Sequence, residues 1–206
     1  EETNVIFGNK NIKVFEEGIL TEDLNGIKCS FSPVSFFQTN TGQALVIYNL
    51  IKKWIKDDKD GIAIDLYSGV GAISLFIAGK FKTIIGVEEV KDAVKDAKNN
   101  AKMSNIENCE FIYGKVEDVM IKLIDNKLNA NTVILDPPRK GCSKDVLLNI
   151  KKINAQNIIY VSCDIATLSR DVEVLINEGY KVKEVQPVDM FPNTYHIETA
   201  VKLRKE

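Results

Sequence analysis

The sequence predicts an α/β fold, a parallel and doubly wound sheet with helices on both faces, preceded by a small β-rich segment. Three observations lead there. From residue 62 to 178, short apolar runs of strand length alternate with stretches of helical periodicity. A glycine-containing loop, DLYSGVG (65–71), stands where one such run passes into a helix. The apolar run VILD (133–136) stops at Pro137-Pro138, which forbid a regular continuation and fix a rigid loop.

The elements follow in order. NVIFG and IKVFE flank Asn9-Lys10, read as a hairpin turn, and IKCSFS (27–32) alternates like a strand. A helix is expected over 40–55, capped by Thr39, and DDKDG (57–61) is a polar break after it. Strands are then expected at 62–67, 83–88, 109–114, 131–138 and 157–163. Helices are expected at 70–79, 90–103, 116–124, 143–152 and 165–178, the last closed by Gly179. Two further strands, near 180–188 and 195–203, finish the chain.

Composition narrows the function classes. The chain has 206 residues, 45% apolar and 27% charged, which suits one globular domain with at most a small appendage. A net charge of −2 does not advertise nucleic-acid binding, although a local basic face is compatible with it. No apolar run reaches membrane-spanning length, so no membrane partner is expected. The four cysteines, Cys29, Cys109, Cys142 and Cys163, are far apart with no Cys-x-x-Cys pair, and there is one histidine, His196. That pattern speaks for a reducing, cytoplasmic setting and against a metal site.

The glycine loop suggests a cofactor. Gly69 and Gly71 permit tight turning and close backbone approach. The spacing lacks the third glycine of the dinucleotide fingerprint, and Asp65 at its head would repel a pyrophosphate but welcome an ammonium. Glu88, 23 positions later at the end of the next strand, is placed to accept hydrogen bonds from two ribose hydroxyls. Together these features suggest S-adenosylmethionine. The plainer alternative is a helix-start loop beside an ordinary surface glutamate. Asp136 reaches the same sheet edge, where it either holds a substrate or cofactor group or belongs to a stiff surface turn. Arg139 and Lys140 after it are of the type that meets phosphate.

The stretch VSCDIATLSRD (161–171) puts Cys163 at the end of a strand with a helix starting just after it. A helix N-terminus favours thiolate, the setting of a nucleophile, whereas a free cysteine taken alone is more often a buried core residue. Glu198 falls inside YHIETAV, where a buried strand would not want a carboxylate. It is either an exposed position or a general base with its pKa raised by burial.

Taken in order, FSPVSFFQTN, DLYSGVG, GVE, LDPPRKG, VSCDIATLSRD and FPNTYHIE resemble the S-adenosylmethionine-dependent RNA 5-methyluridine methyltransferases, from about residue 27 to the end. The resemblance implies a Rossmann-like class I methyltransferase fold. It implies cofactor-binding roles for Gln38, Tyr67, Glu88 and Asp136, beside Gly69 expected there from the loop itself, a nucleophile in Cys163 and a base in Glu198; no metal is expected, because the methyl donor is already activated. It also implies rRNA or tRNA as partner and a monomeric enzyme. Residues 1–33 would be the remnant of an upstream domain and 34–206 the catalytic domain. The implied chemistry is attack of Cys163 at C6 of uracil, methylation at C5, loss of the C5 proton to Glu198 and release of the cysteine.

Two departures stand out. Asp164-Ile165 replaces the Asn-Pro common after the family's cysteine, and a carboxylate there is expected to raise the Cys163 pKa. The RNA-binding barrel and the four-cysteine iron–sulfur segment of longer family members have no counterpart in the chain, so RNA binding is expected to need a missing N-terminal domain. Two rival readings remain. One is an amino-group methyltransferase using the Asp-Pro-Pro-Arg loop, and the other a non-catalytic cofactor- and RNA-binding module.

Overall fold

A computed structural model describes residues 20–33 and 35–206. The Asn9-Lys10 hairpin lies outside the described residues. A different hairpin is present: β1 (Leu20–Leu24) pairs antiparallel with β2 (Ile27–Phe31) across Asn25-Gly26. Both turn residues have positive φ, 54° and 91°, which an Asn-Gly pair adopts readily. The sequence reading passed over that turn signal.

Seven strands form the main sheet in the order β5-β4-β3-β6-β7-β9-β8. They are β3 (Asp58–Leu66), β4 (Phe81–Glu88), β5 (Cys109–Tyr113), β6 (Thr132–Leu135), β7 (Asn157–Ser162), β8 (Tyr180–Val188) and β9 (Glu198–Lys205). Strands β3 to β7 are parallel, with the order reversing at β3, as expected for a doubly wound sheet. β9 is antiparallel to both β7 and β8, so the sheet is parallel over β3 to β7 and mixed at that edge. The cause is the missing crossover helix: β8 returns through a short loop, and only a reversed strand can follow such a connection.

Among the described residues six helices cover the sheet: α1 (Thr41–Trp54), α2 (Ala72–Ile77), α3 (Lys91–Met103), α4 (Val116–Asp125), α5 (Lys144–Lys152) and α6 (Ile165–Asn177). Alternation along the strands feeds two cores. In β6, Val133 and Leu135 face α4, α5 and α6, whereas Ile134 faces α1 and α2. The middle of α1 buries Ala44, Ile47, Tyr48, Ile51 and Trp54, the i, i+3, i+4, i+7 stripe of an amphipathic helix.

Several boundaries differ from the sequence reading. The α1 cap is Asn40, not Thr39: its side chain accepts from Gln43 N and its Nδ2 donates to Met190 O at 2.9 Å. The polar DDKDG stretch is no break, because Asp58–Gly61 continue β3 alongside Phe81, with an irregular register before Ile62. α2 is six residues, all buried, and passes into a 3-10 turn over Ala78–Lys80. β9 starts at Glu198, leaving Tyr195–Ile197 in the preceding loop.

The β1–β2 hairpin is fastened to α3. Asn100, fully buried, accepts from Ser30 N at 2.7 Å and Ser30 Oγ at 2.9 Å, and donates to Ser30 O and Val70 O, both at 3.0 Å. One carboxamide thus joins the hairpin to the glycine loop. Asp96 accepts from Ser32 N and Ser35 Oγ, each at 2.8 Å, and fixes the segment leading to Gln38.

Candidate active site

In a parallel sheet the carboxyl ends of the strands share one edge. Here β3 delivers Asp65 and Tyr67 to it, β4 delivers Glu88, β6 ends just before Asp136 and β7 just before Cys163. Because β9 runs the other way, its first residue, Glu198, arrives at the same edge.

The glycine loop is held in a narrow conformation. Tyr67, Gly69 and Gly71 all have positive φ, at 66°, 53° and 83°. A Cβ on Gly71 would stand 2.7 Å from the Phe111 ring, so this position needs glycine for both angle and space. Glu88 ties the loop down. Its Oε2 accepts from Gly69 N at 2.9 Å and its Oε1 from Val90 N at 2.8 Å. The carboxylate is therefore pre-oriented, and each oxygen retains capacity for a further donor. Phe36 O lies 3.9 Å from the Cβ position of Gly69, which brings the segment carrying the half-buried Gln38 against the loop.

Asp65 is 1% exposed. Ser74 Oγ donates to its Oδ2 at 2.6 Å, while Oδ1 has no hydrogen-bond partner. Burial pushes this carboxyl up to about 7, against the Ser74 hydrogen bonds. An orphaned buried acceptor is a site for a donor to satisfy, and an ammonium would also return Asp65 to its charged form.

Tyr67 turns the other way. It packs against the core beneath α4, α5 and α6 and lines a cleft of about 550 Å³ together with Lys115, Val116, Pro138 and Cys142. Gln38 follows Phe37, which packs against the core on the α1–α2 side.

Asp136, Cys163 and Glu198 form the second cluster. The last rung between β7 and β9 is Ser162–Thr199, so Cys163 and Glu198 each lie one residue from it, at the same end of the ladder. Burial pushes Asp136 up to about 8, with Glu198 and then Asp65 adding to the rise. Glu198 is 7% exposed and is raised by burial, which resolves the alternative left open by the sequence against an exposed position. Cys163 is half-buried. Its thiol is raised by burial first and by Glu198 second, while Arg139 and its own backbone N–H pull the other way. The net direction is opposite to that expected from a helix N-terminus alone.

The expected effect of Asp164 on Cys163 has a different source. Asp164 is the N-cap of α6, accepting from Thr167 N at 3.0 Å, and that bond holds its carboxyl below the usual range. Burial and Glu198, not Asp164, dominate the rise at Cys163. As a cap, aspartate does the work asparagine would do.

The sequence profile of the tRNA (Uracil-5-)-methyltransferase family matches residues 13–206. The chain belongs to that family. It is 42% identical over 203 residues to an uncharacterized RNA methyltransferase of Caldanaerobacter subterraneus subsp. tengcongensis, covering 98% of this chain and 45% of that protein. It is 43% identical over 205 residues to one of Clostridium acetobutylicum, covering 100% and 45%. The chain thus spans about half the length of the curated relatives it matches. Among solved structures, it resembles the Pyrococcus abyssi tRNA (uracil-54, C5)-methyltransferase in complex with S-adenosyl-L-homocysteine, with a TM-score of 0.79, 30% identity, and coverage of 92% of this chain and 45% of that one. A SAM-dependent methyltransferase from Agrobacterium tumefaciens, 16% identical over 93% of this chain and 72% of its own with a TM-score of 0.69, shares the fold alone. The fold is the class I methyltransferase fold, with the small antiparallel hairpin added in front.

For this uracil-5-methyltransferase family member, sequence reasoning missed two residues that shape the site. One is Asn100. The other is Asp171, 1% exposed, which accepts from Tyr160 Oη at 2.6 Å and Cys142 N at 2.7 Å. A signal for Asp171 was present: it occupies the buried stripe of α6 between Leu168 and Leu175, where an acid needs partners. The remaining thiols, Cys29, Cys109 and Cys142, are pushed up to about 12 by burial, which suits packing and not nucleophilic attack. His196 lies against Tyr195 with ring centroids 4.1 Å apart and planes tilted by 39°, a loop contact. Among the described residues no helix is long and apolar enough to cross a membrane.

Proposed function

We propose that the chain is the catalytic portion of an RNA methyltransferase that transfers a methyl group from S-adenosylmethionine to C5 of a uridine, with Cys163 as nucleophile and Glu198 as base. The observation that carries this reading is the convergence of Cys163, Glu198 and Asp136 on the sheet edge that also bears the glycine loop and Glu88. Family membership supports it, as does the related structure solved with S-adenosyl-L-homocysteine.

The residues present fit the cofactor. Glu88 would take the ribose hydroxyls, the free Oδ1 of Asp65 the ammonium, and Gly69 would let the backbone approach. Gln38, Tyr67 and Asp136 complete the set. When bound, S-adenosylmethionine supplies a methyl group on a positively charged sulfur.

The protein's part is to make C5 nucleophilic. Cys163 Sγ, as thiolate, forms a bond to C6 of uracil, and the C5–C6 electrons move into the ring as an enolate. After C5 carries the methyl group, Glu198 removes its remaining proton, and the electrons re-form the C5–C6 double bond as Sγ leaves. A buried, raised carboxyl is a stronger base than an exposed one, which suits this step. The base must be unstacked to reach the edge, so the target is a single-stranded or flipped uridine in tRNA or rRNA.

Residues 1–33 are assigned to the remnant of an upstream central domain and 34–206 to the catalytic domain of a monomeric, cytoplasmic enzyme, with RNA affinity supplied by a further N-terminal domain of the longer protein. Nucleoside analysis of RNA incubated with labelled S-adenosylmethionine tests the assignment. Label in 5-methyluridine is expected. Label in an N-methylated base would establish the amino-group reading instead.

A further inference from the structure

The loop that leads into Glu198 displays an aromatic ring instead of burying it. Tyr195 is 83% exposed, the highest value among the large exposed hydrophobic side chains of the described residues. The chain on either side of it is anchored. Met190 is fully buried, and its carbonyl accepts from Asn40 Nδ2 at 2.9 Å. Phe191 packs on the α1–α2 core. Thr194 closes a turn back onto Phe191 O, donating from N at 3.1 Å and from Oγ1 at 2.7 Å, with Asn193 in the left-handed region at φ 70°. Thr194 Oγ1 also accepts from His196 N at 3.2 Å. The His196 ring then lies against Tyr195. Glu198 starts β9 and is buried. Tyr195 is thus held out to solvent between two fixed points, three residues before a buried carboxyl.

The neighbourhood gives this ring a use. Three residues span at most about 11 Å, so Tyr195 stays close to Glu198 at the carboxyl edge of the sheet. Ile197, and Ile165 two residues beyond Cys163, are exposed there as well. Single exposed apolar side chains are ordinary, but several gathered round a candidate site mark a surface that a ligand covers. On the proposed function, the ligand that comes to this edge is RNA. A uridine taken out of its stack leaves the base beside it with an uncovered face. An aromatic side chain can cover that face, and it does so for any base.

We propose that Tyr195 is a substrate-positioning residue whose ring stacks on the RNA base next to the target uridine. The inference rests on the reading of this edge as the place of uridine methylation. The contact uses the ring and not the hydroxyl, so it adds affinity with little sequence preference.

The test uses the full-length protein and a single-stranded RNA oligonucleotide with one uridine and 2-aminopurine beside it, a base whose fluorescence falls when an aromatic ring stacks on it. The wild type should quench the signal on binding. Tyr195→Ala should weaken binding about tenfold and remove the quenching. Tyr195→Phe should keep both, whereas Tyr195→Leu, apolar but without a π-face, should not. In methylation assays Tyr195→Ala should raise KM for RNA by a similar factor, with kcat and KM for S-adenosylmethionine changed far less. The melting temperature should stay at the wild-type value, because an exposed side chain contributes little to stability, whereas a merely structural role would lower it. Absence of quenching by the wild type, or equal RNA affinity and KM in the wild type and Tyr195→Ala, would overturn the proposal. If Tyr195 behaves as expected while the label from S-adenosylmethionine enters an N-methylated base, the stacking stands and the uridine reading falls.

Discussion

Cys163 and Glu198 each come next to the last rung of the β7–β9 ladder, Ser162–Thr199: Cys163 directly follows Ser162 and Glu198 directly precedes Thr199. They come from opposite strand ends: Cys163 leaves a parallel strand and Glu198 enters an antiparallel one. The reversal of β9 is therefore what brings a carboxylate and a thiol together at one edge, and it separates their tasks. In the proposed mechanism the thiol would meet C6 and the carboxyl the proton on the neighbouring C5.

Removing the thiol should stop chemistry without stopping cofactor binding. Cys163→Ala and Cys163→Ser are expected to abolish methyl transfer, while calorimetry with S-adenosylmethionine shows affinity nearly unchanged. Glu88 and the glycine loop are joined by their own hydrogen bonds and do not use Cys163. Full activity in the alanine variant would eliminate covalent catalysis.

Glu198→Gln keeps shape but cannot take the C5 proton. Methylated RNA should accumulate in covalent attachment to the protein, seen as a retarded band on a denaturing gel. Product release at the wild-type rate would remove Glu198 from the base role.

Asn100 tests how far the hairpin supports the cofactor loop. Asn100→Ala leaves Ser30 N and Val70 O without partners in a buried place. A loss of about 2–4 kcal/mol in unfolding free energy is expected in denaturant melts, together with weaker S-adenosylmethionine binding because Val70 sits inside the glycine loop. Stability within experimental error of wild type would show that the hairpin is a passive attachment.

The buried carboxyls set the direction of the pH dependence. Asp136 is raised to about 8 and Asp65 to about 7, both from an ordinary carboxylate value of 3.8. The folded state then holds protons that the unfolded chain releases first, so the stability these groups contribute is full below about pH 4 and is lost as pH rises towards 8. Asp136→Asn should flatten this slope in thermal melts taken from pH 5 to 8.5 and gain relative to wild type at the upper end. A slope identical to wild type would show that Asp136 does not titrate in this range.

The placement of much of the candidate site along one sheet edge is legible in the sequence. Asp65, Glu88, Asp136 and Cys163 each sit at or next to a strand end, with Gly69 in the loop that follows one, and a strand end is visible as an apolar run that stops. Glu198 was visible as an acid where the pattern wanted an apolar residue. What was not visible depended on partners distant in sequence. The antiparallel insertion of β9 between β7 and β8 leaves no local mark. The role of Asn100 lies in Ser30 and Val70, each at least 30 residues away. The direction of the Cys163 shift is set by burial and Glu198, neither of which the local sequence around the cysteine contains. The DDKDG stretch was misread for a related reason: its extension of β3 comes from the neighbouring Phe81, not from its own polar composition.

The central claim is that Cys163 bonds to C6 of the target uridine, and trapping with 5-fluorouridine-substituted RNA addresses it most directly. Fluorine at C5 cannot be removed as a proton, so the Glu198 step fails and the cysteine stays attached. With S-adenosylmethionine present, the account predicts a denaturation-stable protein–RNA adduct whose cross-linked peptide contains Cys163, and no adduct with Cys163→Ala. Methylation of ordinary RNA without any such adduct, or an adduct mapped to another residue, would contradict it.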